Sequence, residues 1–284
     1  SLNGIANTGI ERTTTFDPKS NMMQSAQSMI YKRWYATIVP LVNGDKLILG
    51  GREDTTVRTP KSADWNYATT PELFTNDGAW RVLPGAASDA AFGGKVGVNW
   101  SYPRAYQMPN DPAKVFVLAH DGTTYYLTPA GDGTLTKLAK RTLRSDNRLP
   151  TVMFAPGKLL SVRSNQRVIV VDINGPQPVI TTTANLSQLR YFANATVLPD
   201  GKVLVTGGSA VPNQINGIAN AAEIWDPKTG RWTLGASAAH PRLYHSNALL
   251  LADGTVLTGG GGHPGPVTNY NAEIYYPGYL YDAG

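Results

Sequence analysis

The sequence predicts an all-β chain assembled from a repeated unit of short strands, and three observations predict it. Glycine and proline are abundant, at 29 and 20 of 284 residues, while charged residues make up only 16%. Turns are therefore frequent, and the salt-bridged surfaces of helical proteins are missing. A short Asn-Gly or Asp-Gly turn, a run of alternating apolar residues and a Gly-Gly pair recur together, and a second aromatic-then-turn element recurs with them.

The clear copies of the first element are Asn43-Gly44-Asp45-Lys46-Leu47-Ile48-Leu49-Gly50-Gly51, Asp200-Gly201-Lys202-Val203-Leu204-Val205-Thr206-Gly207-Gly208 and Asp253-Gly254-Thr255-Val256-Leu257-Thr258-Gly259-Gly260. Gly208 and Gly260 lie 52 residues apart, and Gly51 and Gly208 lie 157 apart, close to three such periods. Two degenerate copies are expected between them, at His120-Asp121-Gly122 and Pro156-Gly157-Lys158, each without the Gly-Gly. The second element reads Phe16-Asp17-Pro18-Lys19-Ser20, Trp225-Asp226-Pro227-Lys228-Thr229-Gly230 and Ile274-Tyr275-Tyr276-Pro277, and predicts an outer strand ending in a turn.

Asp-Gly supplies the positive φ angles of a tight hairpin, and Gly-Gly suits the crowded end of an inner strand. A period near 50 residues with about four strands per unit is the pattern of a kelch-type β-propeller. The period gives about five blades over 32–284, with 1–31 supplying the outer part of another, incomplete blade. An unclosed ring exposes strand edges, so the chain reads as one piece of a longer protein whose remaining blades lie elsewhere. The one helix-leaning segment is Ser20 to Tyr31.

Composition also bounds function. With 42% apolar residues and a net charge of +5, the chain buries a core and carries no strong electrostatic bias. The basic cluster at Lys137, Lys140, Arg141, Arg144 and Arg148 lacks aromatic interleaving and reads as a solvated face, which gives no support to a nucleic-acid partner. No apolar run reaches the ~18 residues of a spanning helix, and the first residues show no signal segment. Zero cysteines exclude disulfides, thiolate metal sites and a cysteine nucleophile within this chain. Phosphate-loop, zinc-protease and serine-hydrolase motifs are absent. Glu53, Asp54 and Asp64 are scattered acids without partner geometry. Asn99-Trp100-Ser101, Asn185-Leu186-Ser187 and Asn194-Ala195-Thr196 satisfy the glycosylation tripeptide but do not by themselves argue for glycans.

One segment carries candidate chemistry: His240-Pro241-Arg242-Leu243-Tyr244-His245-Ser246, running into the last Asp-Gly repeat and four glycines. Tyr244 and His245 fall just before an inner strand, and a phenol beside an imidazole offers oxygen and nitrogen ligands suited to copper. This segment, with Asn271-Ala272-Glu273-Ile274-Tyr275-Tyr276-Pro277, Lys32-Arg33-Trp34-Tyr35-Ala36-Thr37 and Arg190-Tyr191-Phe192-Ala193-Asn194, resembles the copper radical oxidases, the galactose oxidase and glyoxal oxidase family. The resemblance runs from about residue 32 to residue 281.

It implies a seven-bladed propeller in the parent protein, one mononuclear copper with a tyrosyl radical, and oxidation of an aldehyde or primary alcohol with reduction of O2 to H2O2. It further implies a secreted or periplasmic location and a C-terminal β-sandwich domain. Carried over by residue, Tyr35 matches the equatorial radical tyrosine, Tyr244 the axial tyrosine that takes the substrate proton, and His245 an equatorial ligand. Phe192 falls near a substrate-pocket aromatic. The family's crosslinking cysteine and second histidine match nothing in this chain, and His120, His240 and His263 do not occupy the family positions. Arg52-Glu53-Asp54 stands where the family's stacking tryptophan would be, which leans toward glyoxal-oxidase-like members. The alternative reading is a non-catalytic propeller acting as a carbohydrate- or protein-binding platform.

Overall fold

The computed structural model describes residues 8–53, 66–93, 101–144 and 146–281. Asp54, Asp64, Asn99, Trp100 and most of the 52–66 loop lie outside the described residues. The chain divides into two compact units, Ser1–Asn147 and Arg148–Gly284, each an array of antiparallel meander sheets in the kelch manner.

In the first unit a hairpin, β1 (Thr13–Asp17) and β2 (Met22–Ala26), precedes two four-stranded sheets. The first sheet is β3 (Thr37–Pro40), β4 (Lys46–Leu49), β5 (Glu72–Phe74) and β6 (Trp80–Val82). The second is β7 (Arg104–Gln107), β8 (Val115–Leu118), β9 (Thr123–Thr128) and β10 (Thr134–Arg141). A single four-residue helix, α1 (Asp89–Phe92), is the only α-helix among the described residues.

The second unit holds β11 (Thr151–Ala155), β12 (Lys158–Val162), β13 (Val168–Asp172) and β14 (Val179–Thr182). These are followed by β15 (Asn194–Val197), β16 (Val203–Thr206), β17 (Ala221–Asp226) and β18 (Arg231–Ser237). Its last sheet has three strands, β19 (Ser246–Leu250), β20 (Val256–Gly260) and β21 (Ala272–Tyr275).

The Asx-Gly repeat works as expected in three sheets. Asn43, Asp200 and Asp253 each accept a hydrogen bond from the backbone N–H two residues on, at 3.1, 3.1 and 2.9 Å. This closes the turn between first and second strands while the intervening glycine takes φ of 82–88°. The second strands lose the expected alternation: β8 and β16 are buried at every position, and in β16 Val203 and Val205 pack in one apolar cluster while Leu204 packs in another, so both faces are covered. Leu47, Leu49, Val115, Val117 and Leu127 form the core of the first unit, and Val162, Val203, Val205 and Trp225 that of the second.

One expectation is corrected. His120-Asp121-Gly122 does not open its blade. It closes the hairpin between the second and third strands, β8 and β9, while residues 108–114 make the first turn. Asp121 makes the same Asx contact, to Thr123 N at 2.8 Å, so the local signal was sound but its place in the blade was not. Ser20 to Tyr31 is not helical. Asp17 binds Lys19 N and the Ser20 hydroxyl, turning the chain so that Met23 pairs with Phe16 across β1–β2; a turn of fixed geometry outweighs the modest helical propensity of the methionines. Within the basic cluster Arg141 pairs with Asp121 at 3.0 Å, and Arg148 lies over the Tyr191 ring at 4.7 Å.

Candidate functional site

A buried clasp sets up each site-bearing segment. Arg33 reaches Glu72 of β5, Arg190 reaches Glu223 of β17 and Arg242 reaches Glu273 of β21, at 2.8, 2.9 and 2.8 Å. Each arginine also donates to the carbonyl of the glycine ending its own second strand, Gly50, Gly207 or Gly260. Each glutamate accepts in addition the backbone N–H three residues before the arginine, from Ile30, Ser187 or Ala239. A charge-assisted network therefore fixes the lead-in to β3, β15 and β19. It went unread in the sequence, although Glu72-Leu73-Phe74, Glu223-Ile224-Trp225 and Glu273-Ile274-Tyr275 repeat its acidic half.

Directly after the clasp the backbone turns left-handed at a residue other than glycine. Tyr35 has φ 62°, Phe192 φ 63° and His245 φ 67°. Such a conformation is uncommon for residues of this bulk and persists where surrounding contacts over-determine it. Three of the four residues named from sequence are thus the strained positions of their segments.

In the second unit the structure brings Phe192, Tyr244 and His245 together. The Tyr244 and His245 rings stack at 3.7 Å with 27° between planes, and Phe192 lies 4.7 Å from Tyr244 at 46°. His245 Nδ1 sits 2.8 Å from the His263 carbonyl oxygen. A carbonyl only accepts, so Nδ1 carries the proton and Nε2 is the basic nitrogen, the arrangement that orients a ligating imidazole. Tyr244 is half-buried and His245 exposed.

In the first unit Tyr35 stacks on Trp34 at 3.6 Å and on Tyr102 at 4.6 Å. Burial pushes the Tyr102 phenol above its usual range, and the neighbouring Tyr35 phenol, hydrogen-bonded to it, adds to the rise. Tyr102 also takes a left-handed φ, 55°, and its N–H bonds the Tyr35 carbonyl at 2.9 Å. Neither Trp34 nor Tyr102 was picked out from sequence: Trp34 adjoins Tyr35 but precedes the Gly-Gly instead of following it, and Tyr102 lies 67 residues on. His120 is buried, and desolvation, aided by Arg104, lowers its imidazole to about 4. His240 is exposed.

Among the described residues, no three His, Cys, Asp or Glu side chains gather where a metal could be held. The neighbouring oxygen and nitrogen donors of Tyr244 and His245, with the imidazole tautomer already set, fit copper.

Comparison with known proteins bears on the same segments. Residues 191–238, the span of β15–β18, match the Kelch motif. Galactose oxidase of Gibberella zeae is 34% identical over 125 residues, covering 42% of this chain and 18% of that protein. A WSC domain-containing protein of Arthroderma benhamiae is 25% identical over 273 residues, 87% of this chain and 28% of its own length. The chain thus spans well under a third of the curated relatives it matches. A solved structure described as a novel fungal alcohol oxidase with catalytic diversity among the AA5 family, in complex with copper, superposes with a TM-score of 0.80 at 23% identity. The match covers 97% of this chain and 60% of that one, and this likeness carries the fold. With the Kelch motif beside it, the chain has a kelch-type β-propeller fold and is similar to galactose oxidase over part of its length.

Proposed function

We propose that this chain is the propeller portion of a secreted copper radical oxidase that oxidises an aldehyde or primary alcohol and reduces O2 to H2O2. The observation that carries the reading is the stacked Tyr244–His245 pair with its imidazole proton fixed on the His263 carbonyl. Tyr244, His245 and Tyr35 would hold the metal, and copper supplies one-electron redox chemistry and polarises the substrate oxygen when bound. Further ligands and a crosslinking cysteine would have to come from other polypeptide.

The residues of this chain divide the remaining work. Tyr244, as the phenolate that it would be when ligating the metal, would accept the substrate hydroxyl proton at its oxygen and so act as general base. Phe192, packed against Tyr244, gives the substrate an apolar wall and displaces water. Tyr35 would hold the second oxidising equivalent, with Trp34 and Tyr102 stacked against its ring and the Tyr102 hydroxyl hydrogen-bonded to its own. Two-electron oxidation needs such a partner because copper exchanges one electron at a time.

The test uses the full-length parent protein. Copper is quantified, and peroxide release is followed with methylglyoxal and simple primary alcohols. Near-stoichiometric copper, peroxide release, and loss of both in His245→Ala are expected. A well-folded protein that binds no copper and releases no peroxide overturns the proposal and leaves a binding platform.

A further inference from the structure

Of the asparagines that satisfy the glycosylation tripeptide, Asn185 and Asn194 stand in opposite surroundings. Asn194 lies in β15, where its backbone pairs with Thr206 and its side-chain amide donates to the Ser246 hydroxyl at 3.0 Å. Thr196, which completes its tripeptide, is 8% exposed. A sugar on the Asn194 nitrogen would break the Ser246 bond and wedge itself between β15 and β19, which pack together. Asn99 lies outside the described residues and takes no part.

Asn185 sits in the extended segment between β14 and β15, and its neighbours on both sides are tied down. Ala184 N–H donates to the Gly230 carbonyl at 3.2 Å and Leu186 N–H to the Gln166 carbonyl at 3.1 Å. The Ala184 carbonyl accepts the Trp232 indole N–H, and Glu223 of the clasp accepts Ser187 N–H, each at 2.8 Å. Leu186 is buried in the apolar core of its unit. Successive side chains of an extended chain point to opposite sides, so burying Leu186 turns Asn185 and Ser187 outward, and both are exposed. The amide and the hydroxyl that the tripeptide requires therefore share an open face, on a backbone that needs no rearrangement to carry an added group.

We infer that Asn185 is a site of N-linked glycosylation. The step joins Asn185 Nδ2 to the anomeric carbon of an N-acetylglucosamine. That carbon's bond to the pyrophosphate of a lipid-linked oligosaccharide donor breaks, the amide gives up one proton, and the lipid pyrophosphate leaves. The clasp stays shut beneath the sugar, because it uses the Ser187 backbone and not the hydroxyl. The inference rests on the reading of the parent as a secreted protein, by a route that carries such donors, and it is independent of copper.

The full-length parent protein is secreted from a eukaryotic host and digested with trypsin, which puts the three tripeptides in separate peptides, 96–104, 168–190 and 191–202. Enzymatic release of N-glycans in heavy-oxygen water leaves a labelled aspartate wherever a glycan stood, and fragmentation separates residue 185 from Asn174 in the same peptide. Label at residue 185 and none at residue 194 is expected. Asn185→Gln and Ser187→Ala abolish the label, whereas Ser187→Thr, which keeps the hydroxyl, retains it. Ser187→Ala leaves the backbone bond to Glu223 in place, so its effect reports the tripeptide and not the fold. A secreted protein unlabelled at 185, label that survives Ser187→Ala, label lost in Ser187→Thr, or label at 194 overturns the inference. A parent protein that never enters the secretory pathway overturns the secreted reading, and this site with it.

Discussion

The buried clasp makes a quantitative prediction for Glu223→Gln. Glu223 accepts from Arg190 Nε and Nη2 at 2.9 Å and from Ser187 N at 2.8 Å, with both charged side chains about 1% exposed. Glutamine keeps the size but removes the charge, leaving a guanidinium buried beside neutral carbonyls. Desolvation already lowers the Arg190 pKa against the pull of Glu223. Breaking a buried pair from one side costs about 3–5 kcal/mol, which for this chain length lowers Tm by about 10 °C. The same change at Glu273 leaves Arg242 facing a partner that solvent already reaches, and about 1–2 kcal/mol is expected once water screens the pair. Removing both partners in Arg190→Met/Glu223→Leu should recover much of the loss, because no orphaned charge remains. Urea denaturation of the four proteins gives the comparison. Equal losses at Glu223 and Glu273, or a double variant no better than the single, would refute the reasoning.

Three further outcomes are expected. Because the folded protein holds His120 at about 4, below the ~6.5 of an unfolded histidine, the unfolded chain takes up the proton first as pH falls. Stability present in full above about pH 6.5 therefore declines toward pH 4 by up to about 3 kcal/mol, and His120→Leu flattens that part of a urea-midpoint profile. Gly207→Ala places a methyl 2.6 Å from the Arg242 carbonyl oxygen at φ 68°, whereas Gly201→Ala at φ 82° meets nothing within 4 Å; unfolding should show about 1 kcal/mol lost at Gly201 and at least about 2–3 kcal/mol at Gly207. Tyr102→Phe removes the hydroxyl that bonds Tyr35 while keeping the stacked ring, so in the parent protein copper content should hold while peroxide release falls about tenfold or more, the effect of one lost charge-stabilising hydrogen bond; unchanged turnover would remove Tyr102 from the reaction.

What could be read ahead of the structure follows from how local each signal is. Asp200-Gly201 and Asp253-Gly254 declare their hairpins because an Asx side chain and a positive-φ glycine act within three residues. Tyr244-His245 stands out because both groups are adjacent in the chain. His120-Asp121-Gly122 misled for the same reason: its turn chemistry is genuine, yet nothing within the turn says which pair of strands it joins. The Arg–Glu clasp spans 31 to 39 residues, and the Tyr35–Tyr102 contact is longer still, so both depend on sheet packing that no short window contains. Ser20–Tyr31 shows the converse, a weak propensity overruled by the Asp17 turn.

The left-handed residue behind each clasp arginine has a consequence for how such a chain acquires chemistry. The arginine bears the mechanical load, and the kink turns the next side chains away from it. The fitting mounted there has been exchanged from copy to copy, as Trp34-Tyr35, Tyr191-Phe192 and Leu243-Tyr244-His245, while the mount stayed the same. A catalytic group can be installed, swapped or deleted at these sockets without re-engineering the sheet that carries them, so Phe192→Tyr would set a second phenol ring beside Tyr244 on a foundation already in place.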